Sequence, residues 1–600
     1  MTDTAASELT LQRIRNDVRD LIAEESRASN SWSRCDAWLT GYDPDFSRKL
    51  AGRGLVGVTW PKRFGGRDLT QIERYTVLEE LLAGGAPVAA HWIADRQTGP
   101  LLLRYGTDEQ RTRFLPAIAN GECFFSIGMS EPDSGSDLAS VRVTAARVAG
   151  GWTLHGTKLW TSHAHRNHFM VTLVRTEPGL ADKHAGLSQL IVDLRAKDVV
   201  VRPIRLMSGE PHFSEVVFDG TFVPDAMLVG REGDGWQQVT SELAYERSGP
   251  ERFLSTFPLL AELARIISSS PDDHRLQALG ELTARLWSLR ALSLSVAGQL
   301  QAGEEPMSAA CMLKCLGTAF EGDVVESARL LVPPGQRSDR FDRLLKGAIT
   351  SVPGFTLRGG TTEILRTIVA RSLSAQGPGS SYQGIDPEVA DLLLDTATAV
   401  FGRKGGTSAA AIEQSGLAMV GAEGLPASGV AVRAAAYFGE SEPFAENVFR
   451  PESPSSELGA LMTSVQIGGA MARVRDLTVE YARDRHQFGQ PLNRFQAVQH
   501  HLANLAMEAR VADIMIATTL AKPHREQIAA TKVVAGRAAS RVAAAAHQVH
   551  GAIGMTEEHS LHRFTTALWR WRDVYRTEAE WALELGRFIA DRDLWEETAA

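Results

Sequence analysis

Cysteine is scarce, with four in 600 residues: Cys35, Cys123, Cys311 and Cys315. They show no spacing of a disulfide framework. Cys311 and Cys315, one helical turn apart, read as two small core residues, because no histidine cluster accompanies them. No metal is expected. An apolar run of about 20 residues, the length that spans a bilayer, is also missing. The N-terminal stretch MTDTAASELTLQRIRNDVRDLIAEE is charged from the start and has no apolar signal core. These absences imply a cytoplasmic chain with no membrane partner. Nor is there an excess of positive charge: 63 Lys and Arg against 72 Asp and Glu give a formal charge of -9. Without a broad basic field, nucleic acid is excluded as a partner, and any anionic ligand must be held by local groups.

What is present is ordinary globular composition, 44% hydrophobic and 22% charged, at a length that demands more than one core. Residues 1–121 read as helices broken by turns, as in LTLQRIRNDVRDLIAEE and IERYTVLEELLAGG. The texture then changes. CFFSIGMS, GWTLHGTKLWTS, FMVTLVRT, LSQLIVDL and EVVFDGTFVP are short and rich in β-formers, which predicts a β-domain over 122–232. Helical periodicity returns over 233–375. Residues 376–387, QGPGSSYQGIDP, have linker chemistry. A Gly- and Ala-rich segment follows at 388–455 without a second β-block, and a second helical bundle is predicted over 456–600. Helices flanking a β-domain suit a large planar cofactor at a domain boundary.

Three motifs carry a family resemblance. Met129-Ser130-Glu131-Pro132-Asp133-Ser134-Gly135-Ser136-Asp137 resembles the T-E-P-x-A-G-S-D flavin loop of the acyl-CoA dehydrogenases. Lys158-Leu159-Trp160-Thr161-Ser162 resembles their K-x-W-I-T strand, and Gly359-Gly360-Thr361-Thr362-Glu363-Ile364 their E-G-T-S-E-I. The resemblance covers roughly residues 10–375. Beyond the linker, Arg485-His486-Gln487-Phe488-Gly489 with Phe495-Gln496 is similar to R-x-Q-F-G…F-Q, and Gln548-Val549-His550-Gly551 to Q-x-H-G. Neither of these last two motifs occurs in the first half. The resemblance therefore implies an α+β fold: N-terminal helices, a middle β-domain, a helical bundle, then a degenerate, mostly helical second half. It looks like a fused form of heteromeric actinobacterial dehydrogenases that act on bulky thioesters such as steroid side chains.

The resemblance also implies roles. FAD is the cofactor, contacted by Ile127, Met129, Ser130, Gly135, Ser136, Trp160, Ser162, Thr361 and Glu363. From the second half, Arg485, Gln487, Phe488, Phe495, Gln548, His550 and Gly551 would add contacts. Small residues and hydroxyls allow close approach to a ring edge; Trp160 supplies a flat wall, and Arg485 suits a phosphate. The acyl-CoA substrate falls to Ser136, Tyr245, Arg247, Gly359 and Gly360.

The catalytic base is an inference of its own. Many members place the acid just before the G-T of the last motif, where this chain has Gly359. A minority, resembling isovaleryl and long-chain enzymes, place it on the first bundle helix before an arginine, and here that position reads Glu246-Arg247. Abstraction of an α-proton needs a carboxylate opposite the flavin, while N5 takes the β-hydride. Glu246 is therefore the expected base, with Glu242 one turn earlier as its alternate. The second half has no equivalent, and Arg576 stands near the acid's usual place. Electron-transferring flavoprotein is the expected electron acceptor and a homodimer of fused chains the expected assembly. A flavin monooxygenase or a non-catalytic flavin-fold scaffold are the competing readings, and Glu246 speaks against the first.

Overall fold

The computed structural model describes residues 2–28, 32–373, 387–401, 415, 425–438 and 456–599; the side chains of residues 2–7, 242–246, 387, 388 and 425 lie outside that description. The linker segment expected at 376–387 falls outside it but for Pro387, and of 388–455 only 388–401, 415 and 425–438 fall inside. No helix among the described residues is long and apolar enough to cross a membrane.

The β-texture of the sequence becomes one sheet of eight strands: β1 (Phe125–Gly128), β2 (Thr144–Val148), β3 (Gly151–Ser162), β4 (Phe169–Arg175), β5 (Leu187–Asp193), β6 (Val199–Ile204), β7 (Phe213–Pro224) and β8 (Leu228–Val229). Their order is β6-β7-β3-β2-β4-β5-β8, with β1 pairing parallel to β4. β7 alternates half-buried and buried positions along FSEVVF, as a strand with one face on the core must. β5, whose first six residues are all buried, is covered on both faces. One side of the sheet packs Trp152, Leu154, Met170, Val216 and Phe218 together. A second cluster joins Phe125, Val171 and Ile191 to Trp60 and to Leu102, Phe114 and Ile118 of the preceding helices.

Local chemistry starts those helices. Thr70 caps Gln71–Ala83 in a reciprocal box with Glu73, and Thr107 does the same for Asp108–Ala119 with Gln110, so orphan N–H groups of the first turn find acceptors. Long helices follow the sheet at Gly235–Arg247, Asp273–Gln301, Met307–Leu331 and Asp339–Phe355.

The chain divides into two compact units, residues 1–262 with 293–361, and residues 263–292 with 362–600. This division does not follow the segments drawn from sequence: 263–292 and 362–373, from the first bundle, are built into the second unit. There the Asp273–Gln301 helix meets the Glu578–Ala590 helix at bare backbone. A Cβ added to Gly280 would come 1.8 Å from the Ala582 carbonyl, so only glycine permits this crossing. Trp287 Nε1 donates to Thr598 Oγ1 at 3.0 Å, Arg587 pairs with Asp273 at 3.0 Å, and Arg537 pairs with Glu281. The rest of the second unit is helical, chiefly Ser456–Asp484, Gln496–Ala521, Arg525–His550 and Leu561–Arg572. Its only described strands are β9 (His486–Gln487) and β10 (Gln490–Pro491). The α+β architecture with a second helical half is the expected one.

Candidate active site

A buried ion pair shapes the Met129–Ser136 loop. Lys158 lies on the parity of β3 that buries Trp152 and Leu154, and its ammonium is fully enclosed. It donates to Glu131 Oε1 at 2.7 Å and to the Met129 carbonyl at 3.1 Å. Glu131 also accepts from the backbone N–H groups of Arg142 (2.6 Å) and Val143 (3.0 Å). Burial pushes the Lys158 ammonium down to about 8, and the Glu131 charge pulls against that shift. Leu159 N–H then donates to the Ser130 carbonyl at 2.8 Å, tying loop to strand. Glu131 and Lys158 were present in the motifs but carried no role in the sequence reading; a lysine on an apolar strand parity was the signal that an acid had to meet it.

Two residues later the strand breaks its alternation. Lys158 pairs with Val216 but Thr161 with Ser214, so Leu159 and Trp160 oppose Glu215 alone. An unbroken strand would bury Trp160. The bulge buries Thr161 instead and leaves the indole 52% exposed, at φ 59, edge-on to Phe213. A left-handed backbone under a bulky residue costs about 1–2 kcal/mol and concentrates at functional positions. Ile127 sits half-buried in β1 opposite Val171; Gly135 and Ser136 are exposed, and the Ser162 carbonyl accepts from Ser126 Oγ at 2.7 Å.

A second set lies at the end of the Gly235–Arg247 helix. The buried Arg247 donates from Nε to the Gly359 carbonyl at 3.2 Å and points Nη1 at Met307 Sδ (3.6 Å) and Cys311 Sγ (3.7 Å). No carboxylate among the described residues neutralises it. Gly359 and Gly360 have φ of 66° and 94°, and the Gly360 carbonyl accepts from the buried Lys314 Nζ at 2.7 Å. Lys314 escaped the sequence reading because it hides in an apolar helix, MSAACMLKCLGTAF. Thr361 follows this turn, half-buried, at the end of the first unit, whereas Glu363, exposed, opens the Thr362–Ser372 helix of the second. The side chains of Glu242, Tyr245 and Glu246 lie outside the described set; their backbone forms the last turns of the Gly235–Arg247 helix.

The third set belongs to the second unit. β9 and β10 close a hairpin whose loop residues, Phe488 and Gly489, both have positive φ (53° and 79°). Such loops favour Asn-Gly; here a phenylalanine holds the strained position and is 92% exposed, edge-on to Phe495. Arg485 and Gln487 are exposed beside it. Gln548 is exposed, while His550 is buried and stacks on Tyr481 with ring centres 4.4 Å apart. His550 Nδ1 donates to the Ala546 carbonyl at 2.9 Å, Nε2 has no partner, and burial pushes the imidazole down to about 4, so it is neutral. Gly551, at φ 65, ends that helix. Tyr481 joins the two motifs: its carbonyl accepts from Arg485 N–H at 2.9 Å and its hydroxyl donates to the His550 carbonyl at 3.3 Å. The sequence reading passed over it, although it stands one turn before Arg485.

Each unit by itself carries groups that suit a flavin nucleotide: Trp160 and Phe488, aromatic rings on left-handed backbone, suit stacking on a flat ring, and the exposed Arg485 guanidinium suits a phosphate.

Comparison with known proteins identifies the family. The N-terminal-domain model of acyl-CoA dehydrogenase matches residues 9–122, the middle-domain model 126–221, and the C-terminal-domain model matches twice, at 270–374 and 457–575. Acyl-CoA dehydrogenase FadE34 of Mycobacterium tuberculosis is 32% identical over 329 residues, which is 54% of this chain and 45% of FadE34, so less than half of that relative is spanned. The Tcur3481-Tcur3483 steroid ACAD is similar in structure (TM-score 0.53, 26% identity, 61% of this chain and 96% of that one). An acyl-CoA dehydrogenase complexed with FAD from Bacillus anthracis shares the fold over 98% of this chain and 95% of its own (TM-score 0.63, 14% identity). The chain belongs to the acyl-CoA dehydrogenase family of FAD-dependent oxidoreductases.

Proposed function

We propose that this chain oxidises an acyl-CoA thioester to the trans-2-enoyl-CoA at a single site in its first half, with Glu246 as base. The observation that carries the reading is the 3.2 Å bond from Arg247 Nε to the Gly359 carbonyl. It fastens the helix end that bears Glu246 to the turn where many relatives keep their acid, and that turn has no side chain at Gly359. Glu246 removes the α-proton, and bound FAD supplies the acceptor for the β-hydride. Desolvation by the acyl group raises the carboxyl toward the working range. Arg247, a buried cation whose described partners are neutral, orients the thioester. The Met129–Ser136 loop, Trp160 and Ser162 hold the flavin ring, while Arg485, Gln487, Phe488, Phe495 and the Gln548–Gly551 segment hold its distal part, within one chain or across a homodimer of fused chains. Similarity to a steroid dehydrogenase supports a bulky acyl group, and electron-transferring flavoprotein is the proposed acceptor.

The test is anaerobic bleaching of the purified yellow protein by a panel of acyl-CoAs that includes steroid thioesters. Glu246→Gln should keep its FAD and reduce it at least about a thousandfold more slowly, the scale of losing a positioned base. Parent-like reduction in that variant would move the role to Glu242.

A further inference from the structure

A cavity opens directly behind the end of the Glu246 helix, lined by Ser248, by Leu78, Ala297 and Leu300, and by two arginines, Arg74 and Arg96. Leu78, Pro250, Ala297 and Leu300 give it an apolar wall, and Gln71, Tyr75, Ser248 and the two guanidinium groups a polar one. Arg96, 4% exposed, pairs with Glu251 at 2.5 Å, and Arg252 shares that carboxylate at 3.0 Å. Gly249 rests on the same pair, since a Cβ there would come 2.2 Å from Glu251 Oε2. Arg74 is less well matched. Among the described residues its closest carboxylate, Asp95, is 3.8 Å away and accepts from Gly57 N–H at 2.6 Å, and Arg74 Nη2 is buried with no hydrogen-bond partner. Glu79 and Glu80 of the same helix are engaged on another face by Arg15 and Arg19. Among the described side chains Arg74, Arg96 and Arg252 face Asp95 and Glu251, all 12% exposed or less. A buried guanidinium nitrogen without an acceptor is costly unless a ligand supplies one.

Resting on the dehydrogenase reading, we infer that the cavity receives the far end of the acyl group and that Arg74 binds a carboxylate there, so that the substrate is the mono-CoA thioester of a dicarboxylic acid. Leu78, Ala297 and Leu300 pack the methylene stem, and the terminal carboxylate supplies the missing acceptor to Arg74 Nη2. Selectivity follows from the polar group left unpaired when an uncharged chain enters, a larger effect than any apolar wall provides.

The experiment measures kcat/KM of the holoenzyme, by anaerobic flavin reduction, on matched pairs: adipoyl- against hexanoyl-, suberoyl- against octanoyl-, and sebacoyl- against decanoyl-CoA. The ω-carboxylated member should be favoured at least about tenfold at the length that reaches Arg74, and Arg74→Leu should lower that ratio about tenfold to a hundredfold. Arg74→Lys should retain part of it. Both substrates meet the same protein, so general damage to a variant cancels in the ratio. Preference for the uncharged member at every length, or an unchanged ratio in Arg74→Leu, would overturn the inference. If no acyl-CoA reduces the flavin of the parent, the dehydrogenase reading fails instead.

Discussion

Gly359 and Gly360 precede the Thr362–Ser372 helix with φ of 66° and 94°; Tyr575 and Arg576 precede the Glu578–Ala590 helix with φ of 54° and 74°. In each case a threonine, Thr361 or Thr577, lies between the left-handed pair and the helix. The backbone pattern therefore aligns Tyr575 with Gly359, one residue from the alignment of Arg576 with the acid's place that the sequence suggests. Two bulky residues in the left-handed region cost about 1–2 kcal/mol each, and the second copy holds them by contacts. The Tyr575 ring covers Gly459, where a Cβ would come 2.3 Å from its Cε1, and the Tyr575 carbonyl accepts from Trp581 Nε1 at 2.8 Å. Arg576 pairs with Glu584 and lies over the Trp581 ring. In the first copy the same turn is bare and held through its carbonyls by Arg247 and Lys314. One turn is open and the other filled, although both precede a helix of the second unit with the same left-handed pair.

Four substitutions sharpen or break this contrast. Lys158→Met leaves Glu131 buried and unpaired and should cost about 3–5 kcal/mol; flavin content after gel filtration and the urea midpoint report it, and a parent-like protein would deny the ion pair its role in the loop. Gly280→Leu forces side-chain atoms into the Ala582 carbonyl and should cost about 3 kcal/mol. A small change in melting temperature would mean the first copy's helix is not stitched into the second unit. Gly359→Tyr imports the second copy's plug: turnover should fall at least about a hundredfold, roughly 2.7 kcal/mol, with FAD retained. Unchanged turnover would show that this turn does not border the substrate. Tyr575→Gly removes the plug and relieves strain together, for a net loss of about 1–2 kcal/mol by thermal unfolding, and no new turnover should appear.

Much of this was legible in the sequence, and the gaps have physical causes. The longer strands were readable because β3, β4, β5 and β7 combine β-formers with alternation or a continuous apolar run. β6 was missed: it carries Pro203, tolerated only because the strand lies at the sheet edge. β2, TAARV, is short and mostly exposed. The motif around Trp160 could be found, but not the bulge that turns the indole outward, since a bulge is a matter of register between two strands. The assignment of 263–292 to the second unit was hidden because it rests on packing between helices far apart in sequence. Gly280 reads as a helix-weakening glycine until the Ala582 carbonyl is seen against it.

The claim that most needs testing is that one chain, with two copies of the C-terminal domain, makes one catalytic site. The measurement is FAD released by denaturation, set against chain concentration by amino-acid analysis, in fully flavin-loaded protein. A ratio of one is predicted, because Trp160 and the Met129–Ser136 loop have no counterpart in the described second half. A ratio of two would mean that the filled turn at Tyr575 borders a second flavin and would contradict the account.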